Sequence, residues 1–551
     1  MIMLQALFIL TILLVVHVPL GDYMAKALDG GRHLRIERAL YRICGVDPDA
    51  EQDRRHYLLA LLAFSALSVV FLFALLTFQG SLPWSGGHEG MPWELALHTA
   101  VSFTTNTSWQ NYAGESPIGH THLAVMAGLG VQAFASAAVG MCVGLALIRA
   151  LVRRGGTGLG NFWVDLIRSV FRVLLPLAVV FGLALIGLGV QQNLAGAETV
   201  RTIAGGTQTL LGGPVGSWES IKLISGDGGG FFNASSAHPF ENPSAMTNAI
   251  EILLMLLVPT AFIRLFGRMS GDLKLGWTLL VVVGILFGLL LTAGTLAQGA
   301  QTGTVAQAVG GQFEGTETRI GVPGSTLFGV AATASADGAL NASYDSFSSL
   351  GGGVLLAAMM LGEIAPGGTG SGLYGLIMAV LIAVFLGGLM VGRTPEFMGK
   401  RIGYVEMRYV VLYSLVAPTL ILGFTALAVA LPEGRSSMGN VGAHGLTEVL
   451  YAYTSNVTSN GSAMAGLNGN TMFYNLTMTA AMALGRYLPI AFVLALAGRL
   501  VHRQPVAITA GTLRTSGINF VVLATGAALI LALLNFLPAL SLGPLADGLL
   551  G

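Results

Sequence analysis

The residues best suited to chemistry in this sequence are neutral oxygen donors held in glycine-rich stretches. Gly226-Asp-Gly-Gly-Gly-Phe-Phe-Asn233 places three consecutive glycines after a short helix-like run, Trp218–Ser225, and before a polar stretch, His238–Pro243; a long apolar segment follows. Glycine runs permit unusual dihedrals and close approach of another atom. At membrane depth a non-helical backbone is tolerated only where it is buried in protein or lines a wet cavity. Rings of carbonyls in such a place replace the water shell of a cation. The stretch therefore reads as one quarter of an ion-selecting constriction.

Three other segments share its plan of short helix, polar Gly/Ser/Thr/Asn stretch and long apolar run. They are Trp93–Phe103 followed by Thr104–Gln110, Asn341–Phe347 followed by Ser348–Gly353, and Leu446–Ser455 followed by Asn456–Ser462. Thr107, Gly228, Gly351 and Gly461 recur at long, similar intervals, which fits a fourfold duplication of a helix–re-entrant loop–helix unit. A half-helix that stops midway points about half a negative charge at the bilayer centre. Four such ends on one axis attract a cation without any carboxylate. Singly, each stretch would pass for an ordinary extracellular turn; the signal lies in the four together.

The elements that must position these loops are membrane spans. Apolar residues make up 54% of the 551, charged residues only 10%, and mean hydropathy is +0.73, so the chain is a polytopic membrane protein. Its zero net charge gives no reason to expect nucleic acid. Two cysteines, Cys44 and Cys142, form no disulfide framework. Runs long enough to cross a bilayer are Met1–Leu20, Leu58–Phe78, His122–Leu151, Val170–Val190, Ala249–Phe266, Leu275–Leu296, Leu373–Val391, Tyr409–Leu431, Phe473–Leu500 and Ile518–Leu537. Met1–Leu20 lacks a basic n-region and is expected to be an uncleaved first helix. Basic residues crowd one set of loops, from Lys26 to Arg55, Arg149 to Arg154, Arg264 to Lys274, Arg393 to Arg408 and Arg499 to Arg514. The opposite loops hold only Arg201, Lys222, Arg319 and Arg435. The basic set is thus expected to be cytoplasmic and both termini extracytoplasmic. The expected fold is an all-α membrane protein of about ten helices, with pore repeats at 58–151, 152–268, 269–408 and 409–504, an N-terminal helix and loop at 1–57 and a C-terminal helix at 505–551.

Longer stretches carry a resemblance. TNTSWQNY (Thr105–Tyr112), GGGFFNASSAHPFENP (Gly228–Pro243), DSFSSLGG (Asp345–Gly352), GSGLYG (Gly370–Gly375), GRTPEFMGK (Gly392–Lys400) and NGSAMAGL (Asn460–Leu467) resemble the KdpA family, the potassium-translocating subunits of Kdp-type ATPases within the superfamily of potassium transporters. The resemblance spans essentially the whole chain. It implies potassium as the ion, held by main-chain carbonyls of Asn106, Thr107 and Ser108; Gly228 and Gly229; Ser349, Leu350 and Gly351; and Ser459, Asn460 and Gly461. It implies that Gln110 influences ion affinity. It also implies membrane lipid around the chain, a P-type ATPase subunit (KdpB-like) and small KdpC-like and KdpF-like subunits as partners, in a bacterial inner membrane. Two positions depart from the family: Gly226-Asp227 stands where Thr-Asn is usual, and Ser108 where Asn is frequent. Asp227 could raise ion occupancy, weaken discrimination, or point away and accept backbone hydrogen bonds. The last is the expectation, because an ionised group lining a dehydrated filter is costly.

Further residues carry open readings. Arg486, inside the ninth span, needs a partner or pins pore-loop carbonyls. Glu363 is either a carboxylate of the cation path or that arginine's counter-charge. Gly367–Gly372 and Gly387-Gly388 either break the seventh helix under the filter, as the resemblance implies, or let helices pack closely. Arg393 assists that barrier or anchors at the headgroups. The histidines show no metal-ligand spacing. The sequence has no G-x-x-x-x-G-K-[ST] and no DKTG motif, and its longest cytoplasmic loop, Gly21–Tyr57, is too short for a nucleotide domain. The chain is therefore expected to be a non-catalytic subunit that draws energy from a partner. A stand-alone potassium channel or cation symporter is the alternative. A secondary transporter of organic solutes would instead need two inverted halves.

Overall fold

The computed structural model describes residues 2–156, 158–300, 312–362, 364–390, 392, 394–504 and 514–550. Ten helices in it are long and apolar enough to cross a membrane: Gln5–Asp29, Arg54–Ser81, Ala124–Val152, Phe162–Gly187, Ala245–Met269, Leu273–Gly299, Ser371–Met390, Tyr404–Ala430, Met472–Leu500 and Ile518–Leu542. Their apolar character runs all round the helix, as lipid on one side and protein on the other require.

Burial sorts them into two shells. The third, fifth and seventh spans have 89%, 78% and 72% of their most apolar window inside the protein, against 22% for the second and 28% for the fourth. Three units thus run from an outer span through a short helix and a loop to an inner span, and in a fourth the ninth span is 44% buried against 28% for the eighth. The short helices are Trp93–Thr104, Val215–Ser225, Gly321–Ala334 and Gly442–Thr458. The first span lies outside the repeats and packs along the fifth, where Arg264 Nε meets Asp22 Oδ1 at 2.8 Å. The tenth span packs on the sixth and seventh.

The third repeat differs from expectation. Its half-helix is Gly321–Ala334, one element earlier than Asn341–Phe347. Ser348–Gly353 is not a loop but the start of a helix, Ser349–Met360, whose N-cap Ser348 accepts from Gly351 N at 3.0 Å. Its glycines serve packing: a Cβ on Gly351 would overlap Gln298, one on Gly352 would stand 2.9 Å from Met464 Cε, and one on Gly353 2.9 Å from Pro544 Cβ. After Met360 the chain leaves helical form and resumes at Ser371, so the inner helix of this repeat is broken.

Two polar devices tie the periphery. Lys400, at the end of the GRTPEFMGK stretch, is buried and donates to the carbonyls of Ala150, Arg153 and Leu500 at 2.7, 2.8 and 2.7 Å. It thereby neutralises the carbonyl ends of the third and ninth spans. On the fourth short helix, His444 Nδ1 meets Asp547 Oδ2 at 2.9 Å and Nε2 meets Asp345 Oδ1 at 3.3 Å, fastening the C-terminal segment Pro544–Leu550. The Asp345 contact, with help from Asp547 and against partial burial, holds the imidazole up to about 9 from its ordinary 6.5. A raised value means that the stabilisation is complete below pH 6.5 and is lost as pH rises through about 9. Thermal unfolding followed from pH 6 to pH 10 should show that loss, and His444→Gln should flatten it.

Candidate ion-binding site

The four short helices end in the same way. In each, a residue in the left-handed region follows the last turn: Asn106 (φ 61°), Gly226 (φ 60°), Ala336 (φ 57°) and Ser459 (φ 64°). In each, the next amide donates to a carbonyl five residues back: Thr107 to Ser102, Asp227 to Lys222, Asp337 to Ala332 and Asn460 to Ser455, at 3.0, 3.0, 3.0 and 2.9 Å. This is the six-to-one closure that terminates helices. Glycine is usual at the left-handed position, yet three of the four residues there carry a Cβ. Such strain persists where the surroundings over-determine it, as at functional sites.

These closures set a register. Thr107, Asp227, Asp337 and Asn460 are equivalent, and so are Ser108, Gly228, Gly338 and Gly461. Ser108 (φ 50°), Gly228 (φ 80°) and Gly461 (φ 98°) are left-handed as well. Left-handed φ at alternate positions leaves successive carbonyls on one side of the strand, the arrangement a carbonyl cage needs.

The loops form a closed ring. A Cβ on Gly228 would overlap the Gly338 backbone, and one on Gly338 would stand 2.7 Å from the Asn460 carbonyl oxygen. A Cβ on Gly461 would overlap the Thr107 carbonyl oxygen, and one on Gly229 would stand 3.3 Å from the Ser108 carbonyl oxygen. Contact therefore passes from the second loop to the third, fourth and first and back to the second. A cavity of about 640 Å³ opens over one side of the ring and is lined by all four loops, including Ser108, Gly229, Gly338 and Gly461.

Side chains behind the ring hold it. Asn106 Nδ2 donates to Gly226 O at 2.6 Å, and its Oδ1 accepts from Ser136 Oγ at 3.0 Å. Asn460 Nδ2 donates to Ala332 O at 3.2 Å. Gln110 Oε1 accepts from Gly230 N at 2.8 Å, which ties the first loop to the second. Lys222, one of the four basic residues on the side opposite the basic loops, is buried in the second short helix. Its Nζ lies 2.6 Å from Glu241, 2.8 Å from Glu219 and 3.2 Å from Ser235 Oγ, and that hydroxyl donates to Gly229 O at 2.8 Å. Glu241 of the HPFENP stretch is thus tied through Lys222 and Ser235 to the backbone of the second loop.

The ring therefore brings together Asn106, Thr107, Ser108, Gly228, Gly229, Ser459, Asn460 and Gly461. It does not include Ser349, Leu350 or Gly351, which lie in the first turn of Ser349–Met360; Leu350 packs against Gly548. Their place is taken by Ala336, Asp337 and Gly338. The signal for them was Asp337-Gly338, which repeats Asp227-Gly228, but the helix before it carries no charge and reads as a plain core segment. Asp227 is fully buried, yet neither carboxylate oxygen makes a hydrogen bond among the described residues, so the expected backbone partners are not there. It lies within electrostatic reach of Ser108, Ser136, Asp337 and Arg486. Arg486 Nη2 donates to Ser136 O at 3.2 Å, a carbonyl of the third span rather than of a loop. Glu363 and Arg393 lie outside the described residues.

On the other side of the ring sits the broken third-repeat helix. Thr369 Oγ1 donates to Ile224 O at 3.4 Å, and a Cβ on Gly370 would stand 2.5 Å from the Gly140 carbonyl. Backbone therefore fills the space below the second short helix. Beside it is a cavity of about 160 Å³ lined by Ser459, Arg486, Ser371 and Tyr374 and, from the tenth span, Phe536.

Fold and ring together define a helical membrane protein of the potassium-transporter kind. The potassium transporter TrkH from Vibrio parahaemolyticus shares the fold, with a TM-score of 0.52 at 16% identity over 90% of this chain and 96% of that one. Residues 7–549 match the family profile described as the potassium-transporting ATPase A subunit, and the chain belongs to this KdpA family. Proteins named potassium-transporting ATPase potassium-binding subunit are 50% identical in Kineococcus radiotolerans (100% of this chain, 98% of that protein) and 49% identical in Streptomyces coelicolor (99% and 98%). One from Mycobacterium avium is 50% identical over 98% of this chain and 97% of its own length.

Proposed function

We propose that this chain binds potassium in the ring and passes it to an ATP-hydrolysing partner. The observation that carries the reading is the closed circuit of four identically terminated loops. Carbonyls of Thr107–Ser108, Asp227–Gly228, Asp337–Gly338 and Asn460–Gly461 replace the ion's water, and the four helix ends behind them supply negative potential. The cavity of about 640 Å³ over the ring is the entry, on the extracytoplasmic side. The basic loops face the cytoplasm and both termini lie outside, in a bacterial inner membrane. The four pore repeats occupy 58–151, 152–268, 269–408 and 409–504.

The Thr369–Gly370 segment obstructs the straight path, so the ion leaves sideways through the cavity beside Arg486. Hand-over of this kind needs a receiver. A P-type ATPase subunit (KdpB-like) takes the ion, and KdpC-like and KdpF-like subunits complete the assembly. The names carried by the relatives support this division of labour. Potassium is cargo, and the chain itself hydrolyses nothing.

Purification from its native membrane tests the proposal. An aspartyl-phosphate-forming subunit should accompany the chain, with ATP hydrolysis stimulated by micromolar potassium. A chain that purifies alone and passes potassium passively through vesicles would contradict it.

A further inference from the structure

The loop after the first span holds a short helix, Arg35–Ile43, with three distinct faces. Glu37 and Tyr41, one turn apart, are buried against the protein. Leu34, Ile36 and Ile43 are exposed at 49%, 50% and 79%, and Ile36, Leu40 and Ile43 align as one apolar stripe. Arg35, Arg38 and Arg42 align as a third, exposed stripe, and none of them forms an ion pair among the described residues. At 3.6 residues per turn the three stripes stand roughly 120° apart.

The helix is fixed in place. Arg172, in the first half of the fourth span, donates to the carbonyls of Ala27 and Arg32 at 2.8 and 2.6 Å and to Glu37 Oε2 at 2.6 Å. Arg168 donates to Leu28 O at 3.2 Å. These contacts dock the helix beside the end of the first span at Asp29, where a chain leaves the hydrocarbon for the headgroups. A clamped helix at that depth with adjoining apolar and cationic stripes has the composition of an interfacial, anion-seeking element.

We infer that Arg35–Ile43 is a binding site for anionic phospholipid on the basic face of the protein. Ile36, Leu40 and Ile43 lie against acyl chains, and Arg35, Arg38 and Arg42 reach headgroup phosphates as charge-assisted donors. Each basic group near an anionic surface is worth roughly fivefold in lipid preference. The site is independent of the potassium ring, so its failure would leave that reading untouched.

Exposed Cys44 at the end of the helix is a native reporter, since Cys142 is buried. The purified protein, labelled at Cys44 with a fluorescent maleimide, is placed in phosphatidylcholine nanodiscs. These carry equal mole fractions of brominated-chain phosphatidylglycerol or brominated-chain phosphatidylcholine. The anionic quencher should quench several-fold more strongly. R35Q/R38Q/R42Q should bring the two to parity at unchanged melting temperature, while R35K/R38K/R42K keeps the preference. Parity in the wild-type protein overturns the inference. So does a label that neither lipid quenches, which would mean that protein covers the helix.

Discussion

Gly461→Ala is expected to abolish potassium uptake at micromolar concentrations, and Gly338→Ala to do the same. The added methyl at Gly461 would occupy the position of the Thr107 carbonyl oxygen, and at Gly338 it would press on the Asn460 carbonyl. Gly461 also has φ 98°, which residues with a Cβ rarely adopt. Nothing nearby can yield, because the neighbours are the backbones of other loops in the ring. Loss of carbonyl geometry removes the oxygen cage, so affinity should fall by orders of magnitude rather than by a graded step. Leu350→Ala is the matched control: Leu350 lies 36% exposed beside the C-terminal segment and should leave the half-saturating potassium concentration unchanged. Potassium uptake by potassium-depleted cells, followed across micromolar external potassium, measures all three. Normal uptake in Gly461→Ala, or lost affinity in Leu350→Ala, would return the site to the wrong segment.

Lys222→Met is expected to destabilise the protein by about 3–5 kcal/mol and to weaken potassium binding as well. Lys222 is fully buried between Glu219 and Glu241, with Glu251 close by. Removing the cation leaves buried carboxylates facing one another without compensation. The second effect follows from Ser235, whose hydroxyl joins the ammonium to the Gly229 carbonyl. Melting of the detergent-solubilised protein reads the first effect, and potassium-dependent protection from melting reads the second. A variant that melts like the wild type and is protected by the same potassium concentration would show that the cluster is inert.

Three of the four loops were legible in the sequence because each follows a half-helix with polar residues in it. Trp218–Ser225 is amphipathic, and glycine, serine, threonine and asparagine crowd the residues after each of these short helices. The third half-helix, Gly321–Ala334, carries no charge and no amphipathic stripe, since it is surrounded by protein on all sides. The nearby Gly351-Gly-Gly353 triplet then imitates the glycines of the ring. Composition cannot separate a glycine needed for left-handed φ from one that lets Pro544 or Gln298 approach a helix. The ten spans were readable because hydropathy and length alone decide them. The ion cluster around Lys222 was not legible for a reason of its own kind: a buried cation is visible only through the partners that the fold brings to it, here Glu241 from nineteen positions on and Ser235 between them.

Diffraction from the protein soaked in thallium or rubidium tests the ring most directly. The account predicts an anomalous peak on the ring axis, bracketed by main-chain oxygens of Thr107–Ser108, Asp227–Gly228, Asp337–Gly338 and Asn460–Gly461. A peak beside Ser349–Gly351, or a ring with no peak at saturating ion, would contradict it.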